Sequence, residues 1–197
     1  SVFLSAYTTK TSVYVLIVTF AGNSILIYVG IYMILYGIVY ALLENDIRRI
    51  LSYSIVNQVG FMIVGIGIGT ELAINGTSAH AFSHIIYKGL LLMSAGSVLY
   101  VTGKRKCSDV GGLYKTMPIT AACGIIGAFA ISAFPFTSGF ISKSMIVESS
   151  YIEGLEIIWY FLLIGSAGVF LHAGIKFPWF VFFHRDKKLE ATDPPIL

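Results

Sequence analysis

Ser78-Ala-His80-Ala-Phe-Ser-His84-Ile-Ile-Tyr-Lys88-Gly-Leu-Leu-Leu-Met-Ser-Ala-Gly-Ser-Val-Leu-Tyr-Val-Thr102 is the stretch on which the fold turns. Its apolar residues run continuously and do not alternate, which argues against a barrel strand. It also exceeds the roughly 20 mostly apolar residues that a membrane-spanning helix needs. His80, His84 and Lys88 interrupt it at i, i+4 and i+8, so each drifts only about 40° from the last and all three share one helical face. At the helical rise they form a ladder about 12 Å long. Lys88 stands ten residues in from Ser78, too deep to snorkel easily to the interface. A lysine near a bilayer centre costs about 2.5–3.5 kcal/mol even on lenient insertion scales.

Reading outward from this stretch, the whole chain has the same character. Of 197 residues, 56% are hydrophobic and 12% are charged, and mean hydropathy is +0.83. A soluble domain carries about twice that charge. The composition excludes an ordinary soluble enzyme, a disordered segment and a nucleic-acid binder. Five further apolar stretches join the first, giving spans at Ser1–Phe20, Ser24–Leu43, Ile50–Gly69, Ser78–Thr102, Thr116–Ser149 and Ile157–Phe183. The fold expected is all-α, a polytopic transmembrane helical bundle of six spans, forming a single membrane domain over 1–197. Turn chemistry separates the spans at Ala21-Gly22-Asn23, Asn75-Gly76-Thr77 and Gly111-Gly112. Asn75-Gly76-Thr77 also fits the glycosylation pattern, although a turn is the better reading. There is no signal-peptide pattern. The chain opens without Met inside an apparent helix, so it reads as a piece of a longer protein with spans upstream.

The charges provide an independent check on this span count. Arg48, Arg49, Lys104, Arg105, Lys106, Lys115, Arg185, Lys187 and Lys188 fall on the side reached after spans two, four and six, with Lys176 near the same end. The opposite side holds Glu71, Glu148, Glu153 and Glu156 and no lysine or arginine. The positive-inside rule makes loops 44–49, 103–115 and 184–190 cytoplasmic. These loops also carry Glu44, Asp46, Asp109, Asp186 and Glu190, so solvated topology signals describe them better than lipid or nucleic-acid patches.

Lys10, Lys88 and Lys143 are the three basic residues left inside spans. Histidine exchanges protons near neutrality and burial disfavours a charged amine, so a water-bridged file of such groups can pass protons. Two histidines at i, i+4 can also chelate a metal, but their span offers no carboxylate or thiol and Lys88 would repel a cation. Cys107 and Cys123 are too few and too distant for a zinc knuckle or a disulfide framework. For Lys143, snorkelling is the competing reading. The 34-residue fifth span contains Pro135 and Gly139 and is too long for one straight crossing. It is better read as a discontinuous helix, two halves around Pro135 with Lys143 one turn into the second; a simple proline kink is the alternative. Thr8, Thr9, Thr11, Ser52, Ser54, Asn57 and Gln58 read as helix-packing polar groups. Gly65-x-Gly67-x-Gly69 lacks the setting of a nucleotide loop. Nothing in the chain suggests a quinone, flavin or iron–sulfur site, so no cofactor is expected.

Several strings resemble one family. His80-Ala-Phe-Ser-His84-Ile-Ile-Tyr-Lys88-Gly-Leu-Leu is similar to the HxxxHxxxKxLLF stretch of the antiporter-like subunits of respiratory complex I and Mrp-type sodium/proton antiporters. Asp46-Ile-Arg48-Arg49-Ile-Leu-Ser-Tyr-Ser with Gln58-Val-Gly-Phe-Met, and Gly111-Gly112-Leu-Tyr-Lys-Thr-Met-Pro118, resemble two further segments of that family. Phe134-Pro135 through Ser138-Gly139-Phe140-Ile-Ser-Lys143 resembles its broken helix, and Thr9-Lys10-Thr-Ser-Val-Tyr14 resembles the helix that carries its linking lysine. The Ser132–Lys143 run and Phe177-Pro-Trp-Phe180 favour the D-type subunits of Mrp antiporters.

The resemblance implies the second inverted repeat of a larger protein of about fourteen spans. It further implies a relay through Lys10, His84, Lys88 and Lys143, to which the ladder on the fourth span adds His80, and partners that are other membrane subunits of a hetero-oligomeric complex in a bacterial inner membrane. The implied function is monovalent cation (Na+)/proton antiport by a secondary transporter, not an enzyme. A proton-pumping subunit of complex I or of a membrane-bound hydrogenase is the alternative, and a purely structural scaffold is a third reading. The charge asymmetry predicts that a cysteine placed within 104–106 reacts with an impermeant thiol reagent only from the cytoplasm, and one beside Glu153 only from outside. Labelling of both from the same side would overturn the span count.

Overall fold

The computed structural model describes residues 2–195; Ser1, where the first predicted span begins, lies outside the described residues, as do Ile196 and Leu197. A π-helical turn, Leu4–Thr8, leads into α1, Thr9–Phe20. Then come α2 Ile25–Leu43, α3 Ile47–Ile68 and α4 Glu71–Thr102. The fifth predicted span is two helices, α5 Pro118–Ile131 and α6 Ser138–Ile152. The last begins as α7, Glu156–Val169, and continues through π-helical stretches Phe170–Lys176 and Trp179–Phe183. Ile25–Leu43, Ile47–Ile68, Glu71–Thr102 and Glu156–Phe183 are long and apolar enough to cross a membrane. The chain is an all-helical, multi-pass membrane bundle, and no strand occurs among the described residues.

One predicted turn is wrong. Asn75-Gly76-Thr77 lies inside α4, which starts seven residues before the predicted Ser78 and is 32 residues long. The start is set by Thr70, whose hydroxyl accepts a hydrogen bond from Ala73 N. Gly76 is helical because it is a contact point: a Cβ there would sit 2.8 Å from Met145 Cβ on α6. Asn-Gly reads locally as a turn, and here tertiary packing overrides it. The other two predicted turns hold, with Gly22 at φ 82° and Gly112 at φ 74°.

The three basic loops lie together at one end of the bundle. Asp46 and Lys106 form an antiparallel bridge, with Ile47 N donating to Arg105 O and Cys107 N to Asn45 O. Gly111 packs on the Arg185 carbonyl, where a Cβ would come within 2.5 Å. The Lys176 ammonium donates to the carbonyls of Ala41, Leu42 and Glu44, a cation on the negative end of α2. At the same end the Asp46 carboxylate caps α3 through Arg48 N and Arg49 N. Hydrogen bonds from Asp46 N and Asn45 N, then Arg49, hold the Glu44 carboxyl below its ordinary range. Asp193 caps α5 from the C-terminal tail, accepting from Ile119 N, Thr120 N and the Thr120 hydroxyl. Burial pushes its carboxyl up, but these bonds outweigh it and leave the group low.

Close approach of α2 and α3 forms the wall behind the buried polar groups. A Cβ at Gly30 would meet Gly60 O at 2.7 Å, one at Gly60 would meet Gly30 O at 2.8 Å, and one at Gly37 would meet Asn57 N at 2.7 Å. Small residues let two backbones touch, the usual device for helix packing in lipid. Gly37→Leu should therefore push α3 away and lower stability by about 3 kcal/mol or more, the upper end for overpacking because backbone cannot yield. Thermal unfolding of the purified membrane protein checks this, and a Leu variant as stable as the parent would refute the contact.

Candidate functional site

The side chains that interrupt the apolar helices converge on the interior. His80, His84, Lys88 and Lys143 are at most 2% exposed, and Lys10 is 7% exposed. On α4 the His80 and His84 rings are 6.0 Å apart between centroids, and Tyr87 stands edge-on to His84 at 5.3 Å. His84 lies within electrostatic reach of Lys10, Lys88, His80 and Lys143. Lys88 in turn feels Lys10 and Lys143. The fold thus gathers every predicted relay residue into one buried file drawn from α1, α4 and α6. Like charges in a low-dielectric interior repel, so the protonation of any member is coupled to that of the others.

The members differ in what holds them. The Lys10 ammonium donates to the Thr9 hydroxyl at 2.9 Å and lies 3.4 Å from Ser5 O. The Lys143 ammonium donates to Ile131 O at 2.8 Å and lies 5.2 Å from the Phe61 ring centroid. It points inward across the break and does not snorkel. Among the described residues, neither ring nitrogen of His84 nor the Lys88 Nζ has a hydrogen-bond partner. Buried polar atoms without a protein partner are the ones that ordered water serves.

The break itself spans residues 132–137, with Pro135 in its middle and left-handed backbone at Ala133 (φ 56°) and Phe136 (φ 69°). Gly139, read in the sequence as a point of unwinding, is already the second residue of α6. Its lack of a side chain serves close approach, because a Cβ there would collide with the Ala130 carbonyl at the end of α5. The C-terminal carbonyls of α5 face Lys143, which suits the negative end of a half-helix dipole.

His80 sits in a polar chain that sequence reasoning missed. Asn57 Nδ2 donates to Ile34 O at 3.2 Å, and Gln58 Nε2 donates to Asn57 Oδ1 at 3.0 Å. Gln58 Oε1 is thereby left to accept from His80 Nε2, 3.0 Å away. His80 Nδ1 lies 2.9 Å from Ser142 Oγ, and Ser142 Oγ lies 3.0 Å from Ser138 O. The hydroxyl has one hydrogen. It donates to Nδ1 when the ring is neutral, or it accepts from Nδ1–H and turns its own hydrogen to Ser138 O when the ring is charged. Either protonation state of His80 is therefore satisfied. Asn57 and Gln58 were legible as polar residues in an apolar helix, but nothing local distinguished them from packing groups, and Ser142 gave no signal. His80 spends both nitrogens within this chain, and no group of three His, Cys, Asp or Glu able to hold a metal ion occurs among the described residues.

Residues 1–171 match the family described as NADH:quinone oxidoreductase/Mrp antiporter, TM. The chain belongs to this family of membrane antiporter-like subunits, which Mrp antiporters and complex I share. It is 35% identical over 136 residues to the L-type subunit of F(420)H(2) dehydrogenase of Methanosarcina mazei, covering 64% of this chain and 20% of that protein. It is 38% identical over 139 residues to the D-type subunit of the Na(+)/H(+) antiporter of Alkalihalophilus pseudofirmus, covering 71% and 28%. Among solved structures, a chain of the membrane-bound sulfane sulfur reductase, an archaeal respiratory membrane complex, superposes with a TM-score of 0.90 at 31% identity, over 99% of this chain and 36% of that one. The chain thus spans about a fifth to a third of the proteins it resembles.

The polar chain yields a test of its own. Gln58→Leu would leave His80 Nε2 and Asn57 Oδ1 buried without partners and should lower stability by about 1–3 kcal/mol. Thermal unfolding in detergent measures it. An unchanged midpoint would mean that Gln58 is packing only.

Proposed function

We propose that this chain is part of a proton-translocating subunit of a multi-subunit monovalent cation (Na+)/proton antiporter of the Mrp type. It would sit in a bacterial inner membrane with loops 44–49, 103–115 and 184–190 facing the cytoplasm. The observation that carries the reading is the Lys88 ammonium, fully buried at the centre of the file and, among the described residues, without a protein partner. A lysine kept for stability would be given acceptors, as Lys176 is. A lysine that hands protons on needs water and titratable neighbours within electrostatic reach, and Lys10 and Lys143 are such neighbours, as Lys88 is to His84. A proton leaving Nζ of one lysine through bridging water arrives on a neutral neighbour, and repulsion between like charges drives the next transfer outward. Lys143 couples this traffic to the broken helix, because its charged form bonds the freed Ile131 carbonyl.

The Na+/H+ reading is supported by the 38% identity to the D-type antiporter protein and by the Ser132–Lys143 run. A second reading, a subunit of a redox-driven respiratory or hydrogenase-like complex, is favoured by the 0.90 TM-score to the sulfane sulfur reductase chain. In both the same file moves protons; the partners and the driving reaction differ.

Lys88→Arg keeps the charge but holds its proton at any physiological pH. Lys88→Met removes charge and proton together and relieves the burial penalty. In vesicles carrying the full complex, both variants should lose proton movement, with the Met variant folded at least as well as the parent. A fully active Arg variant would sink the relay and leave a purely electrostatic role; full flux with Met would mark Lys88 as scaffold.

A further inference from the structure

His172 lies outside both the lysine file and the polar chain through His80. It occupies the middle of the π-helical stretch Phe170–Lys176 and is 0% exposed. Among the described residues, neither of its ring nitrogens has a hydrogen-bond partner. The Gly168 carbonyl one turn back approaches the ring without reaching hydrogen-bond geometry. Its chain neighbours Val169, Ala173 and Phe177 belong to the buried apolar cluster that also holds Leu91, Ala128 and Ile131 of α4 and α5.

An imidazole in such a place is anomalous twice over. Burying a polar group without a partner costs on the order of 1–3 kcal/mol, which any apolar residue of similar size would avoid. The backbone around it is also irregular, and π-helical turns concentrate at functional sites because they re-aim a side chain that a regular helix would point elsewhere. Pro178, which has no backbone N–H to donate, helps set that irregularity just beyond the stretch.

What surrounds His172 gives the anomaly a direction. The charges that bear on it are those of Lys88, Lys143 and Lys176. Lys176 is four residues further along, and its ammonium reaches the Ala41, Leu42 and Glu44 carbonyls at the end of the bundle where the basic loops gather. Lys88, with its own unpartnered Nζ, lies deep inside. His172 is the one titratable residue of its span between Tyr160 and Lys176, and it feels both Lys88 and Lys176. We propose that His172 is a further relay residue, carrying protons between Lys88 and the Lys176 end of the bundle through water held at the unpartnered nitrogens of Lys88 and His172. The step conserves charge: one ring nitrogen accepts a proton through water from the Lys88 ammonium, and the other releases one to water at the end where the basic loops gather. The second ring nitrogen is what makes histidine suited to it.

This inference rests on the relay reading of Lys88, and its test separates the two. In vesicles carrying the full complex, His172→Gln keeps a polar side chain with no titratable proton, while His172→Phe keeps a ring that packs. Proton movement should fall in both on the order of a hundredfold, the lower range for losing a positioned proton donor, with assembly unchanged by size-exclusion profile. Full transport by an assembled Gln or Phe variant would overturn the proposal while leaving the Lys88 reading intact. Failure of both variants to assemble would also overturn it, by assigning His172 to packing. Loss of flux at Lys88 together with normal flux at His172 would place the route to that end elsewhere.

Discussion

A cation inside a membrane protein must have its lost water replaced, and the satisfaction of buried lysines is the constraint from which the rest of this bundle follows. Among the described residues the charges that bear on Lys88 are those of Lys10 and Lys143, and no carboxylate stands beside them. The bundle instead supplies helix-terminal carbonyls and small hydroxyls. Lys176 takes the end of α2, Lys143 the end of α5, and Lys10 the hydroxyl of Thr9. Of these four lysines, Lys88 alone is left without an acceptor among the described residues.

The discontinuous helix is an outcome of the same constraint. Breaking the fifth crossing at residues 132–137 frees backbone carbonyls at membrane depth, which is tolerated only where protein or water satisfies them. Lys143 satisfies one of them. Ser132 and Thr137 close others locally through Ala128 O and Phe134 O. The far end of α5 is held by Asp193 from the tail. The half-helix is thus fastened at both termini by side chains from elsewhere in the chain, and a change of charge on Lys143 acts on an element whose other end is fixed.

The polar chain through Asn57, Gln58, His80 and Ser142 does a different job from the unpartnered groups. Its hydrogen bonds tie α2, α3, α4 and α6 together, and the glycine contacts of α2 with α3 allow the approach that makes them. His80 can change protonation without losing a partner, because the Ser142 hydroxyl rotates. His84 and Lys88 cannot do so without water. The file therefore joins a satisfied member, His80, to two unpartnered ones, His84 and Lys88.

Much of this was legible in the linear chain, for a definite reason. Hydrophobic continuity and the cost of intramembrane charge are local properties, so the spans, the side carrying the basic loops, the ladder on α4 and the break at Pro135 follow from residue type and spacing. Packing is not local. Asn75-Gly76-Thr77 has the chemistry of a turn but is helical, because α6 lies against Gly76. Gly139 reads as a flexible joint but is a contact point against Ala130. Gln58 and Ser142, far apart in the chain and on different helices, meet only across the His80 ring. His172, alone among apolar neighbours in sequence, comes within electrostatic reach of Lys88 only when its part of the last span packs on α5, α3 and α2. Residue chemistry determined which groups would be costly to bury; only the tertiary structure decided which of them received partners, because hydrogen bonds between helices depend on distances that no spacing along one helix contains.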